Sequence, residues 1–325
     1  MTLRKQRPAA FIAALLGVTL VLSACSSGDA DTDTATSQTR SFEADNGTID
    51  IPVDPERIIG IQRGASNLLE FGIKPVGIGQ FNEDPVWLSP TQRAVYDSTP
   101  VVADFNTVDY EKIASLKPDL IVVSTPDFIW EKSWDNERLQ SIAPTVYIEV
   151  SNANWKVQEQ RVADALGKSD EFNLRKAEYD DLLSEMRTDH RDILSSATFA
   201  LINRHKSTKD GEFLVEGRSF YCTTFGTELG INFPETSNQP GDQTSMERIG
   251  DLANYNVLLY PLGPDGSPKQ EVLPVLDSNA WKALPQVSSD RTRGLTCTGG
   301  LSYPDGVTNL ESLDKALSTL PALSE

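Results

Sequence analysis

Two stretches of this chain carry one pattern: DYEKIASLKPDLIVVST from Asp109 to Thr125, and SMERIGDLANYNVLLYP from Ser245 to Pro261. Each opens on a small polar residue. Each then places a glutamate (Glu111, Glu247), a base, an isoleucine, a leucine three positions later, and an apolar run. The isoleucine–leucine spacing reads as a short helix, and the runs Leu120 to Ser124 and Val257 to Tyr260 read as fully buried strands. A strand buried on both faces belongs in a parallel sheet covered by helices. A chain that holds this unit twice predicts two α/β lobes.

The alternation continues on either side of each copy. In the first half, strands are predicted at Ile58 to Ile61, Val76 to Ile78, Pro100 to Val102 and Thr145 to Ile148. A helix from Ala65 to Phe71 ends at a glycine turn, and another runs from Trp130 to Ile142. Asn46 to Val53 alternates and reads as half of a hairpin. In the second half, strands are predicted at Thr198 to Ile202, Phe213 to Val215 and Arg293 to Cys297. Helices are expected over CTTFGTELG, in part of Pro274 to Leu284, and at Leu310 to Leu320. Between the halves, Asn154 to Asp192 has no proline and keeps apolar residues at helical spacing, with Gly167 as the one interruption. The domains expected are therefore a lobe over 46–152, a linking helix over 153–193 and a second lobe over 194–325.

The start of the chain is not part of that fold. Arg4, Lys5 and Arg7 precede the apolar run Phe11 to Leu22, which is too short to span a bilayer and reads as a secretory signal. It ends in Leu22-Ser23-Ala24-Cys25, which resembles the lipobox of bacterial lipoproteins, whose cysteine sulfur is acylated. The resemblance implies a signal peptide over 1–24 and a lipid anchor at Cys25; a chance cysteine after an ordinary signal is the alternative. The following Ser/Thr/Asp-rich segment reads as a flexible tether over 25–45.

The formal charge is −18. It argues against nucleic-acid binding, which rests on neutralising phosphates with Lys and Arg. Cys222 and Cys297 are the only cysteines besides Cys25. In an exported domain they suggest a disulfide, with two buried free thiols as the alternative. The only histidines are His190 and His205, and no metal-ligand spacing occurs, so no protein-held metal is expected. GRSFYC lacks the G-x-S-x-G elbow and no Ser-His-Asp set is signalled, so no enzyme is expected.

PERIIGIQRGASNLLEFGIKPVGIG, DYEKIASLKPDLIVVS, IAPTVYI, SMERIGDLANYNVLLY and WKALPQVSSDRTRGL together resemble the iron-siderophore substrate-binding proteins of ABC importers, a group that also contains cobalamin-binding proteins. The resemblance spans about Ile51 to Leu320. It implies two Rossmann-like lobes with parallel sheets joined by one long rigid α-helix, the class III substrate-binding architecture. It implies a monomeric receptor, lipid-anchored on the outer face of the cell membrane, with no resident cofactor; iron arrives as a ferric siderophore. It also implies that Glu111 and Glu247, one on each lobe, pair with arginines of the permease dimer. Self-capping is the alternative at Glu247, where Thr244 precedes it by three residues, and either glutamate could simply favour its helix N-terminus.

In such a fold the ligand lies against loops that follow the carboxyl ends of strands. Those loops hold Arg63, Phe81, Arg204, Arg218, Tyr221 and Tyr303, the candidate ligand contacts. Cations among aromatics in an acidic protein suit an anionic ferric chelate of catecholate or carboxylate type. The alternatives are heme or a corrinoid in the same cleft, or an envelope lipoprotein that no longer serves transport.

Overall fold

The computed structural model describes residues 38–81, 88–104, 107–126, 134–151, 154–218, 221–236, 243–298 and 301–322, with the backbone alone at 221 and 222. The signal segment and Cys25 lie outside it. The first described element is a hairpin, β1 (Thr39–Ala44) against β2 (Gly47–Pro52), in antiparallel register with Thr39 opposite Pro52. Strand β1 therefore starts inside the segment read as tether to residue 45. Phe42 and Ile51 are the cause: both are buried in the main core. Asp45 ties the turn to the first lobe, since Glu149 N–H donates to its carboxylate at 2.7 Å.

The first lobe is a parallel sheet in the order β5-β4-β3-β6-β7. Its strands are β3 (Ile58–Gln62), β4 (Gly77–Gly79), β5 (Val101–Ala103), β6 (Leu120–Thr125) and β7 (Thr145–Glu149). Helices α1 (Arg63–Glu70), α2 (Pro90–Ser98), α3 (Tyr110–Ser115) and α4 (Asn136–Ile142) intervene. Leu120 and Val122 of β6 face one core, and Ile121 and Val123 face another. The unbroken apolar run is the consequence of that double burial.

The second lobe repeats the order as β10-β9-β8-β11-β12. Its strands are β8 (Phe199–Asn203), β9 (Glu212–Glu216), β10 (Thr244–Ser245), β11 (Val257–Leu262) and β12 (Thr292–Thr296). Here β8, β11 and β12 are parallel, while β9 runs antiparallel to β8 and β10 antiparallel to β9. The reversal follows from chain length. Residues 204–211 are too few for a parallel crossover, so β8 and β9 form a hairpin.

The segment predicted as one linking helix is divided. Helix α5 (Trp155–Ala165) stops at Gly167, whose φ of +67° is left-handed; α6 (Ser169–Asp189) is the long helix; α7 (Arg191–Ser196) follows His190. Helix α8 (Tyr221–Leu229), a 3-10 helix (Met246–Asn254) and a closing helix α9 (Tyr303–Ser318) complete the second lobe, with short helical turns between 270 and 288. Both lobes belong to one compact unit. One core runs from Leu120 and Val146 of the first sheet through Trp155, Phe172 and Tyr179 to Phe199 and Leu259 of the second. The other face of each sheet has a core of its own. Polar bonds cross the same junction: Lys156 Nζ is 2.6 Å from Glu228, and Tyr179 Oη donates to that carboxylate at 2.7 Å.

Candidate functional site

The carboxyl ends of β3 and β12 lead into α1 and α9, and the first turns of these two helices meet. Arg63, at the start of α1, lies close enough to Asp305, in the first turn of α9, to favour its ionised form. The carboxyl ends of β3 and β12 thus lead into neighbouring helices, and the carboxyl ends of strands are where α/β folds bind ligands.

The turn from β3 to α1 is the most constrained point there. Gln62 has φ 58° and ψ −128°, a conformation that non-glycine residues rarely adopt. Gly64 permits it, because a Cβ there would lie 2.4 Å from the Val122 carbonyl oxygen. The half-buried Gln62 amide has no hydrogen-bond partner among the described residues. A strained residue with unspent polar atoms at a strand's carboxyl end is a ligand-contact candidate that the sequence reading passed over. The glycines at 60 and 64 around a strand-to-helix turn were the available signal.

Phe81 stands at the carboxyl end of β4. Its ring stacks on Tyr96 of α2 at 4.9 Å and 25°, and its N–H donates to Tyr96 Oη at 3.2 Å. The structure thus brings Arg63, Phe81 and Gln62 to one rim of the first lobe.

The second lobe's candidates fare differently. Arg204 follows β8 at its carboxyl end, but its guanidinium donates to the carbonyls of Lys209 at 3.1 Å and Glu271 at 3.4 Å, and stands 3.9 Å from Asp210. It sews the β8–β9 hairpin to the segment beyond β11. Arg218 follows β9, which runs antiparallel, so it sits by the amino end of β8. There its Nε donates to Phe233 O at 3.1 Å, Nη2 donates to Asn232 Oδ1 at 2.9 Å, and Glu235 is 3.3 Å away. Tyr303 is 1% exposed, with Trp155, Phe172 and Tyr179 around its ring at 5.0 to 5.4 Å or, for the Tyr179–Trp155 pair, 5.9 Å. It belongs to the core between the lobes, and burial pushes its phenol well above the ordinary range. Proline is tolerated in a helix's first turn, and Pro304 is the second residue of α9, so Tyr303 opens that helix. The Tyr221 side chain lies outside the described residues. His205 and Lys206 are exposed at the tip of the β8–β9 hairpin.

Beneath that hairpin, Glu216 is buried and bonded to Asn203 Nδ2, and Asn203 Oδ1 accepts from Arg204 N–H at 2.8 Å. Burial pushes the Glu216 carboxyl up to about 7, against the pull of the Asn203 amide and Lys269.

Glu111 and Glu247 occupy equivalent places. Glu111 lies in the first turn of α3, after edge strand β5; Glu247 lies in the first turn of the 3-10 helix, after edge strand β10. Both are exposed, and neither carboxylate has an ion-pair or hydrogen-bond partner among the described residues. The caps are supplied by others. Asp109 accepts from Lys112 N–H at 2.9 Å, and Ser245 accepts from Glu247 N–H at 3.3 Å. The self-capping alternative at Glu247 is therefore not what the structure shows. Cys297, just beyond β12, is disulfide-bonded; the Cys222 side chain lies outside the described residues. Among the described residues no group of His, Cys, Asp and Glu is arranged to hold a metal ion.

Comparison with known proteins agrees with this architecture. A Bacillus subtilis protein named as a probable siderophore-binding lipoprotein is 31% identical over 293 residues, covering 83% of this chain and 85% of the relative. A B. subtilis iron(3+)-hydroxamate-binding protein is 28% identical, covering 84% of each chain. The siderophore periplasmic binding protein of the fuscachelin gene cluster of Thermobifida fusca superposes with a TM-score of 0.71 at 23% identity, over 83% of this chain and 99% of that one. The family model for periplasmic binding proteins matches residues 68–288, and the chain belongs to that family.

Proposed function

We propose that this chain is the extracytoplasmic receptor of an ABC importer, that it captures a ferric siderophore between its lobes, and that it delivers the complex to a permease dimer. The observation that carries the reading is a fold of two α/β lobes in a chain 31% identical, over 83% of its length, to a probable siderophore-binding lipoprotein. The task is binding, with no chemistry on the ligand. Acylation of Cys25 would hold the receptor at the outer face of the membrane; each buried methylene contributes about 0.8 kcal/mol. We assign Cys222 as the disulfide partner of Cys297, since Cys25 belongs to the lipobox.

Arg63, Lys206 and His205 favour an anionic chelate, of catecholate or carboxylate type. A hydroxamate is the second reading, favoured by one observation: the guanidiniums of Arg204 and Arg218 are engaged by their own chain. Tryptophan fluorescence of the purified protein, titrated with ferric catecholate, hydroxamate and citrate complexes, heme and cobalamin, separates these. Saturable quenching by one ferric class is expected. Quenching by heme or cobalamin alone, or by nothing in the panel, would defeat the proposal.

Within that reading, Gln62→Ala and Arg63→Ala are each expected to weaken binding about 10- to 140-fold, since a hydrogen bond to a charged group contributes about 1.5–3 kcal/mol and each 1.4 kcal/mol is tenfold. Arg218→Ala is expected to leave affinity unchanged and to lower stability only. Equal affinities for wild type and the Gln62 and Arg63 variants would remove the first lobe's rim from the site.

A further inference from the structure

A cluster of charge lies at the seam where the lobes join. From the first lobe come Arg63 and Glu70 of α1; from the linking segment come Glu159 of α5 and Arg175 of α6; from the second lobe come Ser302 and Asp305 at the start of α9. Glu159 is fully buried, and its Oε2 accepts the Tyr303 N–H at 2.8 Å, a bond that ties the linking segment to the second lobe. Arg175 donates to the Glu70 carbonyl and lies over the Phe71 ring at 4.5 Å. Asp305 is buried and accepts from the Ser302 hydroxyl at 3.0 Å.

The charges do not balance. Among the described residues, three carboxylates face two guanidiniums. The next charged and titratable groups are Tyr179, Asp180 and Glu178 of α6, Lys156 of α5 and Glu228 of α8, and Lys156 is already paired with Glu228 at 2.6 Å. Glu159 Oε1 is buried with no hydrogen-bond donor among the described residues. An uncompensated charge in such a place is costly, and the ordinary remedy is a proton.

We propose that Glu70, Glu159 and Asp305, with Arg63 and Arg175, form a proton-linked joint: the cluster holds one proton at neutral pH, and losing it loosens the contact between the lobes. The acids' behaviour is consistent. Burial, then the nearby Asp305, pushes Glu70 up to about 7; burial, then Glu70, pushes Glu159 up to about 8; burial raises Asp305. These carboxyls bind protons more tightly folded than unfolded. The fold therefore loses stability as pH rises from about 4.5, where the unfolded carboxyls ionise, to about 8, where the folded ones do. By the function proposed above, a looser joint would also weaken the grip on ligand. That consequence rests on that reading, and the test leaves it aside.

The test uses ligand-free protein. The infrared band of protonated carboxyl groups is followed from pH ~5.5 to ~9 in wild type and in Glu159→Gln, Glu70→Gln and Glu216→Gln. X-ray scattering is recorded on the same samples. A band that titrates between about 7 and 8, reduced in either seam variant, is expected, with a radius of gyration that grows over the same interval in wild type alone. Glu216→Gln, which removes the other raised carboxyl, should leave the seam component in place. Absence of the band at pH ~6, its survival undiminished in both seam variants, or its titration without any change in dimensions would each overturn the proposal. If Glu159→Gln does not fold, Glu70→Gln carries the same comparison.

Discussion

Replacing Trp155 by alanine is expected to remove about 3–5 kcal/mol of folding stability, read as a fall in the urea midpoint with little change in slope. Trp155 is 2% exposed, and its ring meets Tyr303 at 5.0 Å, Phe225 at 5.5 Å and Tyr179 at 5.9 Å, all edge-on. These neighbours come from α6, α8 and α9, while Trp155 itself opens α5, so the ring sits where first-lobe and second-lobe packing become one core. The lost volume cannot be refilled cheaply, because tyrosine hydroxyls and the Lys156 ammonium fix the surroundings: Lys156 Nζ is 4.9 Å from the Tyr179 ring centre. A domain commonly has about 5–15 kcal/mol in all. The control is Leu174→Ala on α6, whose side chain is 73% exposed and whose loss should stay within about 0.5 kcal/mol. A Trp155 variant within about 1 kcal/mol of wild type would mean that the two lobes do not share a core there.

The periodicities that carry the lobes were plain in the sequence because double burial leaves no polar residue to break a strand. Ile58–Gln62, Leu120–Thr125 and Val257–Leu262 lie within a residue or two of the expected bounds. Helix α2 went unread although Ser89-Pro90-Thr91-Gln92 is a capping box with proline at the first helical position; Ser89 and Gln92 exchange both cap bonds. The second lobe was harder because direction is not a matter of composition. Nothing in EFLVE says which way β9 runs; only the short link from Asn203 does, and that count puts Arg218 beside the amino end of β8. Arg204 shows a different limit. Its position in the chain was read correctly, but which partner a guanidinium takes depends on carbonyls of residues 209 and 271, brought there by folding. The acids of the seam gave no signal, since Glu70, Glu159 and Asp305 are far apart in the chain and each looks like an ordinary helix-surface residue.

Glu111 and Glu247 are the residues whose loss should matter most for function while costing the fold least. The double variant Glu111→Ala, Glu247→Ala is expected to keep the wild-type melting temperature and ligand affinity, and to lose delivery of chelated iron to the cell. Folding is spared because Asp109 and Ser245, not the glutamates, cap the two helices. Binding is spared because both carboxylates are exposed and follow the outer strands β5 and β10. Delivery is not spared. Truncating one partner of a charge pair buried at an interface costs about 2–5 kcal/mol, and two distant pairs add nearly independently. Docking should then weaken on the order of a thousandfold or more, since each 1.4 kcal/mol is tenfold. Single variants should share the loss almost equally, because the strand order that positions each glutamate is the same in both lobes and a twofold-symmetric partner would meet each in the same way. Iron uptake by cells carrying the double variant, set beside its ligand titration in vitro, is the measurement. Uptake at the wild-type rate with binding intact would remove the glutamates from docking. It would also leave two exposed carboxylates, without partners among the described residues, at matching sites with no physical reason to be there.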